Sequence, residues 1–384
     1  VCSSDLMIFT CKTKNLKEAV FQMEKIVSKQ TTLPILGNLL IEAKKNQLIL
    51  SATNLEIAIQ IILGAKIEKE GEITVPPKIL GGFLSNIKDD IVSGELIKNE
   101  LNLTSENDKI SIKGIDANDF PIIPQRDNEK NFFELDGETF SKAISGVLVS
   151  VAHNDTRQEL NGIFMKLEEE QIVLASTDSF RLTEVKIPLN KEMVTDEYHL
   201  FRERIDSLIL PVQSLAEFHR TGAAKVSFSV NQKQAFINTD GILVISRIIN
   251  GNYPEYTQVL PKKNEISVKI NREKLLNAVK IASLVANNQN GEIKLKSLGE
   301  EKKIVVTAQS IDTGDNVSRV SAEIEGPDFE IFFNFRYLLD ALNSDLFEGE
   351  ELIIKLNQQK SPVIFSIPGK EAFFSYVIMP IIKD

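Results

Sequence analysis

Apolar positions along this chain recur in a fixed order. A short alternating run, Ile8–Lys12, leads into Leu16, Ala19, Val20, Met23 and Val27 at helical spacing. That pattern predicts a strand followed by an amphipathic helix. Adding 124 to Phe9, Cys11, Leu16, Ala19 and Val20 gives Phe133, Leu135, Phe140, Ala143 and Ile144, and the same offset carries Leu48, Leu50 and Thr53 onto Ile172, Leu174 and Thr177. A third copy opens at Val268, Ile270, Leu275, Ala278 and Val279, 135 residues beyond the second. Solenoid units repeat every 20–50 residues or so, so these copies are domain-sized.

Each copy predicts the same elements. Opening strands fall at 8–12, 132–136 and 266–270, each followed by a helix. Asn15, Asn271 and Asp136 or Gly137 are the expected N-terminal caps. Apolar stretches at 47–52, 171–176 and 303–308 read as strands. A second helix follows Pro76 and Pro77, then Pro211, then Asn334, because proline in a first helical turn loses no needed N–H. The runs 121–131 and 251–265, rich in proline and charge, read as linkers. The expectation is an α+β chain of three tandem two-helix, antiparallel-sheet domains at 7–128, 129–260 and 261–384. Residues 1–6, which precede Met7, read as a non-native extension. Three like domains in a row leave two unlike ends, and head-to-tail contacts between such ends build rings or filaments.

Length and composition bound the function. The 384 residues accommodate three domains, each large enough for its own core. No run approaches the ~18 apolar residues of a membrane span. Two cysteines, Cys2 and Cys11, offer no disulfide framework and suit a cytoplasmic setting. A net charge of −10 argues against nucleic acid unless the 44 basic residues are gathered on one face.

Catalytic signals are sparse. There is no phosphate-binding glycine loop. His153, His199 and His219 are scattered, and no metal spacing is present. His153 or Asp178 as acid/base, or Thr177-Asp178-Ser179 as a nucleophile turn, is the enzymatic alternative, and no histidine is placed in sequence to serve it. No cofactor and no metal are expected. The helices carry more: Lys14, Lys25 and Lys29 lie off the apolar stripe of the first helix, Lys78 and Lys88 mark the second, and Arg272, Lys274 and Lys280 mark the first helix of the third copy. If such helices line one surface, that surface is positive on an acidic chain. The middle copy offers Lys142, with Arg202, Arg204 and Arg220 flanking its second helix. Phe180 and Leu182 sit beside charges, and the chain ends in an apolar tail, 376–382. Together with 254–261 these predict an apolar groove where the second and third copies meet.

The motifs resemble a family. Thr32-Leu33-Pro34-Ile35-Leu36, Leu160-Asn161-Gly162, Thr177-Asp178-Ser179-Phe180-Arg181-Leu182, Tyr253-Pro254 through Val259-Leu260-Pro261, Phe333-Asn334 with Tyr337-Leu338-Leu339, and Met379-Pro380 are similar to the beta subunits of bacterial DNA polymerase III, the beta sliding clamps. The resemblance implies a head-to-tail homodimeric ring, helices inside, around double-stranded DNA. It implies no catalysis, and tethering of DNA polymerase and clamp-loader subunits by short peptides. The peptide pocket it implies uses Leu160, Thr177, Phe180, Leu182, Pro254, Val259, Val377, Met379 and Pro380, with Arg157 and Arg181 at the rim. The DNA-facing residues it implies are Lys14, Lys25, Lys29, Gln30, Lys78, Asn154, Arg272 and Lys280. Phe180 stands where many members carry histidine, which implies a drier pocket. A scaffold of the same repeats that does not bind DNA is the other alternative.

Overall fold

A computed structural model describes residues 6–27, 33–125, 130–153, 156–231, 233–261, 263–286, 291–344, 347, 349–357 and 361–382. Seven helices are present among them: α1 (Thr13–Glu24), α2 (Pro77–Asn86), α3 (Gly137–Leu148), α4 (Asp196–Arg204), α5 (Val212–Thr221), α6 (Arg272–Ala286) and α7 (Phe335–Leu342). None is long and apolar enough to cross a membrane. The stripe read on the first helix is its buried face: Leu16, Ala19, Val20 and Met23 are all core. Two expected caps behave differently. Asn271 accepts the Lys274 N–H at 3.0 Å ahead of α6, as a cap does. Asn15 lies inside α1, which starts at Thr13 without a side-chain cap. Asn334 caps α7 by accepting the Arg336 N–H at 3.0 Å.

The middle copy departs from the two-helix expectation. α4 is inserted between strands Arg181–Pro188 and Ser207–Pro211, where the first copy has only a tight turn between Ile57–Lys69 and Gly71–Val75. Tyr198 anchors it, buried, with its hydroxyl donating to the Glu168 carbonyl. Arg202 and Arg204 therefore belong to α4 and only Arg220 to α5.

Among the described residues all strand pairings are antiparallel and form two twelve-stranded sheets. Contacts divide the chain in the same way, into one compact unit of residues 1–137 with 220–248 and another of 138–219 with 249–384. The reason is the way copies join. In the first unit the long strand Ile57–Lys69 pairs along its first half with Ile242–Arg247, the closing strand of the middle copy, in the register Ile57↔Ser246 to Ile61↔Ile242. In the second unit the long strand Arg181–Pro188 pairs with Phe374–Ile378, the closing strand of the third copy, from Arg181↔Ile378 to Val185↔Phe374. Each seam is thus continuous sheet, and the middle copy contributes strands to both units.

Candidate functional site

The second seam is organised by one turn. Thr177 ends a strand, and its hydroxyl donates to the Arg181 carbonyl at 2.7 Å while accepting the Ser179 N–H at 3.1 Å. One oxygen of Asp178 accepts the N–H groups of Phe180 and Arg181 at 3.0 and 2.9 Å. Ser179 takes a left-handed φ of 75°, a conformation that side-chain bonding of this kind stabilises. Phe180 is thrown outward and left 61% exposed. The same turn exists in the first copy, where Thr53, Asn54 and Leu55 repeat each bond and the positive φ. There the outward position is Glu56, so the turn is a property of the repeat and the apolar tip belongs to the middle copy. The Thr177 hydroxyl is held inside the turn in both directions and is not presented as a nucleophile.

Arg181, expected at the rim, is instead mostly buried, its side chain 10% exposed. It donates to Asp178 at 2.9 Å and to Asp340 on α7, and its guanidinium lies 4.6 Å from the Tyr337 ring centre. Burial by itself would weaken its proton affinity, but Tyr376, Asp340 and Asp178 more than offset this and hold the cation firmly protonated. The reason it is buried is the seam: Arg181 starts the strand that pairs with the third copy, so its side chain lands against α7. Arg157 is exposed and donates to Ser179 at 2.9 Å on the same turn.

Beneath the turn the strand pairing sets Leu182 opposite Val377. Both are buried with Ala175 and Tyr256, and Phe164, Tyr253, Leu260 and Ile364 pack around them. Alternation along the strand turns Thr183 the other way, where it meets Ser150 beyond α3, while Ser176 donates to the Val147 carbonyl. Helix α3 therefore covers one face of this sheet and the apolar cluster covers the other. The tail continues from the seam: the Met379 N–H donates to the Phe180 carbonyl at 2.8 Å and the Ile381 N–H to Phe332 at 2.8 Å. Leu160 and Pro380 are buried, Met379 is half-buried, and Pro254 and Val259 are exposed. The seam thus brings together Thr177, Phe180, Leu182, Val377, Met379 and Pro380. The short helical turn Tyr256–Val259 is held to it through Tyr256.

The expected groove segment 254–261 contains Tyr256, but its partner Glu184, and Tyr253 and Tyr337 with Asp340, were not assigned to the site. The Tyr253-Pro254-Glu255-Tyr256 run inside an apparent linker was the available signal. The Tyr253 hydroxyl is buried beside the Thr177 backbone without reaching hydrogen-bond geometry, and burial raises its pKa.

The basic residues divide. Lys14, exposed on α1, lies 3.9 Å from Glu18. Lys25 ends α1, Lys78 stands in the first turn of α2 and Lys280 on α6, all exposed. Arg272 is engaged instead: it donates to the Leu342 carbonyl at 2.7 Å and to Gly349 at 3.3 Å, capping the end of α7. Lys29, Gln30 and Asn154 lie outside the described residues. Among the described residues no cluster of three or more His, Cys, Asp or Glu is placed to hold a metal.

Three family models cover the chain in order. They are described as the DNA polymerase III beta subunit N-terminal domain at residues 7–124, central domain at 134–255 and C-terminal domain at 257–382. A Synechocystis protein named beta sliding clamp is 29% identical over 393 residues, covering 98% of this chain and 99% of its own length. The crystal structure of the Bacillus subtilis DNA polymerase sliding clamp superposes with a TM-score of 0.89 at 24% identity, over 98% of this chain and 100% of that one. A Pseudomonas aeruginosa sliding clamp bound to griselimycin superposes with a TM-score of 0.88 at 22% identity, with the same coverage.

Proposed function

The chain belongs to the DNA polymerase III beta subunit family, and on that premise we propose that it is a sliding clamp, a non-catalytic ring that encircles duplex DNA and tethers a polymerase. The seam supports this reading. Twice within the chain, the closing strand of one copy pairs with the first half of the preceding copy's long strand. Among the described strands two such edges remain. The closing strand of the first copy, Lys109–Lys113, pairs on one side with Glu100–Thr104. The long strand of the third copy, Gly314–Glu325, pairs along its first half with Lys303–Ser310 alone among the described strands. Bare strand edges invite pairing. A second copy, placed head to tail, supplies each edge with the partner that the internal seams use. The neighbourhood of the third-copy edge is apolar: Val317 on the strand, Ile311 at the hairpin tip and Ile281 and Leu284 on α6 are exposed. We take the repeats as domains 7–128, 129–260 and 261–384, six to the ring.

Lys14, Lys25, Lys78 and Lys280 are assigned as phosphate contacts, and the assignment extends to Lys29, Gln30 and Asn154 from the family resemblance alone. Such contacts carry no sequence information and so permit sliding. The net charge of −10 keeps DNA off the remaining surface. Phe180, Val259, Pro254 and Met379 offer apolar contact at the second seam over the Leu182–Val377 floor, and Arg157 gives the polar edge that orients a peptide. Clamp-loader and polymerase subunits are the proposed partners, in the cytoplasm. Sedimentation tests the ring: a mass of about 86 kDa, twice the 43.0 kDa chain, is expected, and a 43.0 kDa species at micromolar concentration contradicts it.

A further inference from the structure

Glu184 is a carboxylate where the repeat does not need one. It lies on the same face of its strand as Leu182, paired across the sheet with Ala175 on one side and Ser375 on the other. It is buried. Its two oxygens are taken by the Tyr256 hydroxyl at 2.8 Å and the Lys186 ammonium at 3.2 Å. Burial and the neighbouring Glu184 both raise the pKa of Tyr256, so the phenol keeps its proton and donates it to the carboxylate.

The first seam is an internal control. Subtracting the 124-residue offset places Gln60 at the Glu184 position and Ser51 at the Ala175 position, and Gln60 donates to Ser51 at 3.1 Å within the sheet. Aligning Asp119-Phe120-Pro121 with Asn252-Tyr253-Pro254 places Ile123 at the Tyr256 position, and Ile123 packs on Ala58 and Ile245. Ala58 and Ile245 face each other there as Leu182 and Val377 do at the second seam. The linker thus covers both seams by apolar contact, and only the second adds a charged hydrogen bond.

That bond acts on a segment with little backbone support. Within 254–260 the main-chain bonds are local: Tyr256 to Pro254 at 2.7 Å closes a three-residue turn ahead of the helical turn, and Gln258 to Glu255 and Leu260 to Thr257, within it, are 3.4 and 3.3 Å, at the weak end of the range. Tyr256 opens the single helical turn that ends in Val259. We infer that Glu184 and Tyr256 are positioning residues for peptide recognition, a latch that holds the turn Tyr256–Val259 against the sheet and sets Val259 as a wall of the pocket. The inference rests on the peptide-pocket reading of the second seam.

Griselimycin binding to the full-length protein, measured by calorimetry, tests the latch. Tyr256→Phe keeps the ring and removes the donor, and should weaken binding about tenfold, the scale of one hydrogen bond to a charged group. Glu184→Gln keeps an acceptor for the hydroxyl but removes the charge, and should fall between that variant and the unaltered protein, about threefold weaker than the latter. The double variant Glu184→Val with Tyr256→Phe leaves no stranded charge, covers the case where Tyr256→Phe alone fails to fold, and should also lose about tenfold. Hydrogen exchange should quicken at residues 256–260 in the weakened variants and stay unchanged in strand Arg181–Pro188, a localisation that general destabilisation does not produce. Unchanged affinity in both Tyr256 variants overturns the latch alone. No binding by the unaltered protein overturns the pocket reading and the latch with it.

Discussion

Arg181 carries more of the second seam than its place in an exposed-looking motif suggests. One guanidinium joins the Thr177–Arg181 turn to α7 through Asp178, Asp340 and the Tyr337 ring. Arg181→Ala should lower the unfolding free energy by about 2 kcal/mol, since two charge-assisted bonds of a mostly buried guanidinium and a stacked cation are lost while Asp340 keeps partial access to water. Chemical denaturation reads this directly. Arg181→Lys should recover little of it, because an ammonium cannot reproduce the planar fork over the ring. A loss under 0.5 kcal/mol, typical of surface pairs, contradicts the assignment. Phe180 is the opposite case. At 61% exposure its change to alanine should leave the melting temperature within about 2 °C and, on the pocket proposed above, weaken peptide binding at the second seam about tenfold.

Elements were unevenly legible. The strand and helix that open each copy were readable because their faces are buried with the two periods that sequence displays, 2 and 3.6. The Thr177–Arg181 turn was visible as a motif, but its recurrence at Thr53–Ile57 was hidden by the change of side chains. Helix α4 escaped because it buries a single residue, Tyr198, and so shows no stripe. Arg181 was expected at a rim and Arg272 facing DNA because the contacts that engage them most, to Asp340 and the Leu342 carbonyl, stand 159 and 70 residues away. No local pattern reports such pairings. The second unit holds all five tyrosines, 198, 253, 256, 337 and 376, and burial raises every one, Tyr198 to about 12. A raised phenol contributes stability that is whole below its unfolded pKa of about 10 and is lost as pH rises through the folded value. In an alkaline titration, phenolate absorbance should therefore lag past pH ~10 and rise together with loss of ellipticity. Independent ionisation near the ordinary value, with structure intact, contradicts this burial.

At the scale of the molecule, the copies join by one rule used twice, with Ile57–Lys69 taking Ile242–Arg247 and Arg181–Pro188 taking Phe374–Ile378. Applied across two chains, the same rule would close the ring proposed above. Leu284, 76% exposed on α6 beside the open edge, should then be covered in the dimer. Leu284→Asp should move the sedimenting mass from about 86 kDa toward the 43.0 kDa of one chain without lowering helix content. Exposed residues elsewhere on the third copy, such as Lys296, should tolerate charge reversal with no change in mass.

A ring that holds DNA by topology makes a demand that ordinary affinity does not. The protein, loaded onto a nicked circular duplex at moderate salt, should co-elute with the circle through gel filtration and be released once a restriction enzyme linearises it. Salt should weaken the contact only modestly on the closed circle, because enclosure outlasts individual phosphate contacts. Release on cutting is the predicted result. Equal retention on circular and linear DNA, or no retention on either after loading, contradicts the sliding clamp.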